Sequence, residues 1–159
     1  MRQRVEIYDA EGHTLKFDMK EVLSALPSIA DRLQWYVLDV EAVGSGPNGE
    51  PIMDFERSVA SSEHGVKLSW EDLGKLAKNV EQTVNATLVG GSARQPPSLP
   101  LPSSYPATIV VEAIDSSLWA VSSPYTEVIE SIQRSFRKTK LGNSSSPIDR
   151  PPFGEDSAT

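Results

Sequence analysis

Three carboxylates on two predicted strands are the residues best suited to chemistry in this 159-residue chain. Asp39 and Glu41 alternate along one face of a strand predicted at 35–43, and Glu112 lies in the middle of another at 108–114. If these two strands pair, the three carboxylates converge. They could then bind a divalent cation through oxygen ligands, or act as the acid and base of a hydrolase. A polar sheet face that docks a cationic partner accounts for the same residues, and we favour that binding role.

Other kinds of reactive site are missing from the sequence. The chain has no cysteine, which excludes thiolate metal ligands, disulfides and cysteine nucleophiles. Its histidines, His13 and His64, fall in a predicted turn and a predicted loop, and the glycines of 44–49 lack the features of a phosphate-binding loop. We therefore predict a protein that is not an enzyme and has no cofactor. The alternative is a metal-dependent hydrolase built on the three carboxylates.

Three tryptophans, Trp35, Trp70 and Trp119, each stand at the edge of a predicted element. Indole rings in such positions usually pack at the rim of the core, but they are also frequent anchors of protein interfaces. Any of the three that proves exposed is therefore a candidate partner-binding residue. Together with Asp39, Glu41 and Glu112, they form the predicted partner-binding set.

The overall charge indicates which class of partner the protein can bind. The formal net charge is −7 and the isoelectric point is near 4.8. Nucleic acids repel an acidic protein without a basic stripe, so we predict no nucleic-acid binding. A basic protein surface suits it better, since complementary charges accelerate encounter. No apolar run is long enough for a membrane span or a signal peptide, so we predict no membrane association and a cytoplasmic location.

The N-terminal third is predicted to contain a hairpin, a helix and a long strand. Alternating apolar residues at Val5 and Ile7 and at Leu15 and Phe17 flank a turn at Gly12, which predicts a β-hairpin. Asp18 and Glu21 form a capping box at the start of a helix that Pro27 should kink or split. The strand at 35–43 follows, and a loop at 44–49 leads to a returning strand at 52–55.

In the rest of the chain, Ser69 caps a helix whose apolar spacing continues to Val84. Residues 92–106 are rich in proline and predict an extended surface loop. Strands at 108–114 and 118–121 should form a hairpin that turns at Asp115-Ser116-Ser117, and Ser123-Pro124 starts the last helix. The predicted fold is therefore a single α+β domain over 1–141: a mostly antiparallel sheet with about three helices packed on one face, and a disordered tail at 142–159.

Two segments carry a resemblance to known proteins. The segment 69–73 (Ser-Trp-Glu-Asp-Leu) at a helix start and the segment 115–121 (Asp-Ser-Ser-Leu-Trp-Ala-Val) after a strand resemble those of small acidic bacterial proteins of uncharacterised function. These in turn are similar to immunity proteins of polymorphic toxin systems. The resemblance covers about residues 30 to 140 without the proline-rich loop, and it implies a domain that neutralises a basic toxin. A homo-oligomeric structural protein, joined through a sheet edge, is a further alternative.

Overall fold

The structure, a computed structural model, describes residues 2–8, 10–11, 14–15 and 17–144. The strands, in chain order, are β1 (Arg2–Ile7), β2 (Ala10–Glu11), β3 (Thr14–Leu15), β4 (Gln34–Gly44), β5 (Val66–Leu68), β6 (Val80–Gly91), β7 (Ile109–Ile114), β8 (Leu118–Ser123) and β9 (Thr139–Ser144). The helices are α1 (Met19–Ser24), α2 (Ile52–Ala60), α3 (Trp70–Asn79) and α4 (Thr126–Ser135), with a short 3₁₀ helix at Ser28–Arg32.

Seven of these strands form one antiparallel sheet in the order β5-β4-β6-β7-β8-β1-β9. The helices bury their apolar faces against one side of it, so the predicted α+β class and one-sided packing are confirmed. The core consists of alternate strand residues and the inner residues of the helices, among them Val5, Trp35, Val37, Leu88, Val111, Val121, Leu73, Leu76, Val128 and Ile132. None of the helices in the described part of the chain is long and apolar enough to cross a membrane.

The start of α1 confirms the predicted capping box. The Asp18 carboxylate accepts a hydrogen bond from the Met19 amide at 2.7 Å, and the Asp18 amide donates to Glu21 Oε1 at 2.8 Å. Pro27 then separates α1 from the 3₁₀ helix, because its ring cannot continue the helical hydrogen bonding. The apolar face predicted as one kinked helix is thus presented by two short helices.

The strand predicted at 52–55 is wrong, because this segment is the start of α2. Ile52, Phe55 and Val59 are buried at helical spacing, and only a helix of this length brings all three into the core. The side chain of Glu56 also accepts a hydrogen bond from the Ala42 amide at 2.9 Å. Helix α2 therefore caps a stretch of β4 that the short strand β5 leaves unpaired.

The predicted continuation of the third helix to Val84 is also wrong. Helix α3 ends at Asn79, and β6 begins at the next residue. Val80, Thr83, Val84 and Thr87 are β-branched and favour a strand. This strand lies between β4 and β7 and pairs with both, so lateral hydrogen bonding outweighs the helical spacing of its apolar residues.

The predicted pairing of the N-terminal strands is wrong as well. Strand β1 lies between β8 and β9, and the two-residue strands β2 and β3 form a separate sheet of their own. The predicted turn residue Gly12 lies outside the described residues. At the other end of the chain, residues 142–144 belong to β9 and not to a tail, and 145–159 lie outside the described residues.

The hairpin between β7 and β8 turns at Asp115-Ser116-Ser117, as predicted. Asp115 and Ser116 have positive φ angles of 49° and 58°, and the Ser117 amide donates to the Ile114 carbonyl at 2.9 Å. Two consecutive positive φ angles in a closed turn match the right-handed twist of the strands that they join. The turn thereby places the Asp115 side chain at the end of the sheet.

The proline-rich segment packs against the sheet face opposite the helices, which we call the loop face. Leu101 and Ala107 are buried there against Leu38, Val89 and Val110. The predicted surface loop is thus anchored by apolar contacts and covers one end of this face. The remainder of the loop face carries the polar residues described next.

Candidate functional site

A row of cross-strand partners runs over the loop face from β4 to β9. Its members are paired in register across six neighbouring strands. They are Asp39, Thr87, Glu112, Ala120, Glu6 and Lys140. Three of the six carry carboxylates, and two of these, Asp39 and Glu112, belong to the predicted binding set.

Asp39 reaches the loop face through a β-bulge. The pairing of β4 with β6 shifts register between Val37 and Asp39, and Val40 is buried on the helix side. Asp39 therefore lies on the opposite face from Trp35 and Val37, whereas the alternation of the sequence predicts that they share one. The bulge is what brings Asp39 into the row.

The predicted convergence of the three carboxylates is wrong. Strand β6 separates β4 from β7, so Asp39 and Glu112 oppose Thr87 from its two sides. Strands two positions apart in a sheet are about 10 Å from each other, too far for carboxylates to share one cation. Among the described residues, no group of three Asp, Glu or His side chains could hold a metal ion.

Glu112 is engaged in an ion pair inside the row. Arg4 Nη1 donates to Glu112 Oε1 at 2.9 Å, and Arg4 Nε donates to Glu6 Oε2 at 3.2 Å. Glu112 is only 7 % exposed, so its carboxylate is not on the surface in the way that the binding hypothesis requires. Arg4 instead links β1 to β7 across β8 and fixes both carboxylates in place.

The same contacts perturb the acidity of Glu6 and Tyr8. Burial alone would raise the pKa of Glu6, but hydrogen bonds from Tyr8 and Arg4 and the charges of Arg4 and Lys140 outweigh it, so the pKa lies below its ordinary 4.5. The hydrogen bond to Glu6 in turn raises the pKa of Tyr8. The ionised form of Glu6 is therefore the one that the fold stabilises.

A pH-dependent contribution to stability follows from this lowered pKa. In the native state Glu6 stays ionised to a lower pH than in the unfolded chain, so its contribution is present above about pH 4.5 and is lost as the pH falls through the folded-state pKa. We expect Glu6→Gln to reduce the loss of thermal stability on acidification. Melting curves at matched ionic strength between about pH 6 and pH 3 measure this. Glu71→Gln, at an exposed site on α3, is the control, and equal acid sensitivity of wild type and Glu6→Gln would contradict the prediction.

An acidic corner lies at the end of the loop face that the proline-rich loop leaves uncovered. We define it as Asp39, which is half-buried, and Glu41 and Asp115, which are exposed. Asn85 Nδ2 donates to Glu41 Oε1 at 2.9 Å, while its Oδ1 accepts from the Asp115 amide at 3.0 Å. Asn85 thus holds the Glu41 carboxylate and the β7–β8 turn in one arrangement. Val43 follows on the same face with 52 % of its surface exposed.

Two of the three predicted tryptophan anchors are core residues. Trp35 and Trp119 are 0 % and 1 % exposed, so neither can contact a partner on the folded surface. Trp70 is half-buried and packs against Trp35, with the ring centroids 5.7 Å apart. Both tryptophans lie on interior strands and point to the side of the sheet that the helices cover, so indoles at the ends of predicted elements are part of the core.

Basic residues gather at the opposite edge of the sheet. Arg134 is in the last turn of α4, Arg137 and Lys138 follow it, and Lys140 is in the edge strand β9. Five strand spacings separate β4 from β9, a distance of about 24 Å. The sheet is therefore acidic at one side and basic at the other.

Comparison of the chain with family models, with curated proteins and with solved structures finds no match.

Several residues of the loop face were missed by sequence reasoning. Arg2, Arg4 and Glu6 alternate along β1, a pattern that predicts one polar face but not its partner. Arg4 and Glu112 are 108 residues apart in the chain, and Asn85 is 30 residues from Asp115. Only the strand order of the sheet brings these residues together.

Proposed function

We propose that this protein is a non-enzymatic binding domain that docks a basic protein surface on its acidic corner. The observation that carries the proposal is the bracing of Glu41 and the Asp115 turn by Asn85 on a rigid sheet. A carboxylate that is already held in place loses little conformational entropy on binding. Its interaction with a cationic partner therefore has a smaller entropic cost.

The charge distribution supports a partner that approaches in one orientation. Acidic residues lie at the β4 side of the sheet and basic residues at the β9 side, and the protein has a net charge of −7. Such a separation steers a basic partner toward the acidic corner and away from β9. The exposed side chain of Val43 adds an apolar contact next to these charges.

An immunity protein that neutralises a basic toxin domain is the specific role that we infer for this binding. It rests on the resemblance of segments 69–73 and 115–121 to small acidic bacterial proteins. The second of these segments contains Asp115, which belongs to the acidic corner. In this role the acidic corner would occlude the toxin, and the product of an adjacent gene is the first partner to test.

Charge reversal at the acidic corner tests the proposal. The double variant Asp39→Lys/Glu41→Lys is compared with Glu127→Lys/Glu130→Lys, which makes the same change of charge at exposed positions of α4. Partners are captured from the native host, identified, and titrated as purified proteins together with the product of the adjacent gene. We expect the corner variant to bind at least about tenfold more weakly than the wild type, mainly through slower association, and the α4 variant to bind normally.

The salt dependence provides a second readout. Affinity for the captured partner should fall between about 0.05 and 0.5 M salt for the wild type and change much less for the corner variant. If no partner is obtained, or if both charge-reversed variants bind it equally, the acidic corner is not the docking site. Size measurement by light scattering shows whether the captured partner is a second copy of this chain.

A further inference from the structure

A second polar site lies on the loop face, away from the acidic corner. Arg2 is 5 % exposed, and its Nη1 donates to the Tyr105 carbonyl at 3.2 Å. Arg2 Nε, Arg2 Nη2 and the hydroxyl of Ser122 are buried and have no hydrogen-bond partner among the residues that the structure describes. Buried polar atoms are almost always hydrogen-bonded, so this group of donors needs an acceptor.

The unpaired atoms of Arg2 belong to a single edge of the guanidinium. The N–H bonds of Nε and Nη2 point in parallel, and this fork matches the two oxygens of a carboxylate or of a phosphate group. Ser122 lies opposite Arg4 in the pairing of β1 with β8, which places it diagonally across from Arg2 on the same face. A diagonal neighbour is within reach of a long side chain, so its hydroxyl adds a third donor to the fork.

The carboxylates around Arg2 are each matched by another cation. Glu112 is paired with Arg4 at 2.9 Å, and Glu6 lies opposite Lys140 in the pairing of β1 with β9. These two cations balance the two carboxylates. The charge of Arg2 remains, and burial, which lowers the pKa of Arg2, disfavours an uncompensated cation there more than the charge of Glu112 offsets it.

The proline-rich loop covers this site. Tyr105 contributes the carbonyl that binds Arg2 Nη1, and its hydroxyl donates to the Gln95 carbonyl at 2.7 Å. Leu101 of the same loop is fully buried against the sheet. Since so little of Arg2 is exposed, only a small ligand can reach the fork.

We propose that Arg2 and Ser122 form a binding site for a small oxyanion, a carboxylate or a phosphate, under the proline-rich loop. The anion accepts hydrogen bonds from Arg2 Nε and Nη2 and from the Ser122 hydroxyl. This site shares no residue with the acidic corner, so anion binding can be tested independently of the proposed protein partner.

The test is a titration of the full chain with sodium acetate and, separately, with sodium phosphate, each against sodium chloride at the same ionic strength. The Arg2 Nε–H signal in NMR spectra is the direct readout, and the melting temperature is the second. We expect a saturable shift with at least one of the two oxyanions, and the acetate and phosphate arms show which one fits. Arg2→Lys keeps the charge but removes the fork, so it should weaken binding at least about tenfold.

Two further variants make the result decisive. Ser122→Ala removes one donor with little change in shape and should weaken binding by a few-fold, which covers the case in which Arg2→Lys does not fold. Arg57→Lys is the matched control on the exposed surface of α2, and it should bind as the wild type does. The proposal is wrong if neither oxyanion gives a saturable shift of the Arg2 signal, or if Arg2→Lys binds as tightly as the wild type.

Discussion

Replacing Trp35 with alanine is expected to lower the free energy of unfolding by about 3 to 5 kcal/mol. The indole is fully buried, and it packs against Trp70 at 5.7 Å between ring centroids. Its Nε1 donates to the Ala30 carbonyl at 3.0 Å. Gly90, the cross-strand partner of Trp35, is what makes room for the ring, since a Cβ atom there would lie 2.8 Å from it.

Chemical denaturation followed by circular dichroism measures this loss. Trp70→Ala is the control. Because Trp70 is only partly buried, this substitution should lower the free energy of unfolding by less than Trp35→Ala does. Trp35→Phe retains an aromatic ring and removes only the indole donor to the Ala30 carbonyl, which still accepts from the Leu33 amide, so it should lower the free energy of unfolding by less than alanine does. A cost below about 1.5 kcal/mol for Trp35→Ala would show that the core does not depend on this indole as described.

The second large effect is expected at Asp18, where replacement by alanine should cost about 2 to 4 kcal/mol. Its carboxylate caps α1 and also accepts hydrogen bonds from Thr83, from the amide at 3.0 Å and from the hydroxyl at 2.5 Å. Thr83 is 3 % exposed, so its amide would be left buried and unpaired. One side chain thus joins the first helix to the first half of β6.

The two functions of Asp18 can be separated. Asp31→Ala, an exposed acid in the 3₁₀ helix, is the matched control and should change stability by less than about 0.5 kcal/mol. Thr83→Val removes the hydroxyl contact and keeps the capping of α1, so it should cost less than Asp18→Ala. If Asp18→Ala and Asp31→Ala prove equally mild in denaturant titrations, the link between α1 and β6 contributes nothing to stability.

Local chemistry made part of the fold predictable. The long strand of Trp35, the capping box of Asp18 and the turn at Asp115 each depend on residues within a few positions of one another, and all three are confirmed. The α+β class follows from the same local patterns.

Predictions failed where long-range pairing decides the outcome. The apolar residues from Val80 to Val84 fit a helix by their spacing, but β4 and β7 supply hydrogen bonds on both sides and make the segment a strand. The bulge that moves Asp39 to the loop face depends equally on the strand beside it. For the same reason the sequence indicates neither the Arg4–Glu112 pair nor the unpaired fork of Arg2.

The position of β1 between β8 and β9 has a consequence for how the chain folds during synthesis. Residues 2–7 are made more than 100 residues before both of their partner strands, which lie beyond residue 117. At translation rates of about 5 to 20 residues per second this delay is roughly 5 to 30 s, during which the segment cannot take its place in the sheet. Slow closure of such distant contacts also predicts slow refolding in vitro. Strand β1 is thus made before its partners but joins the sheet only after them, and Arg2 and Arg4 reach the loop face with it.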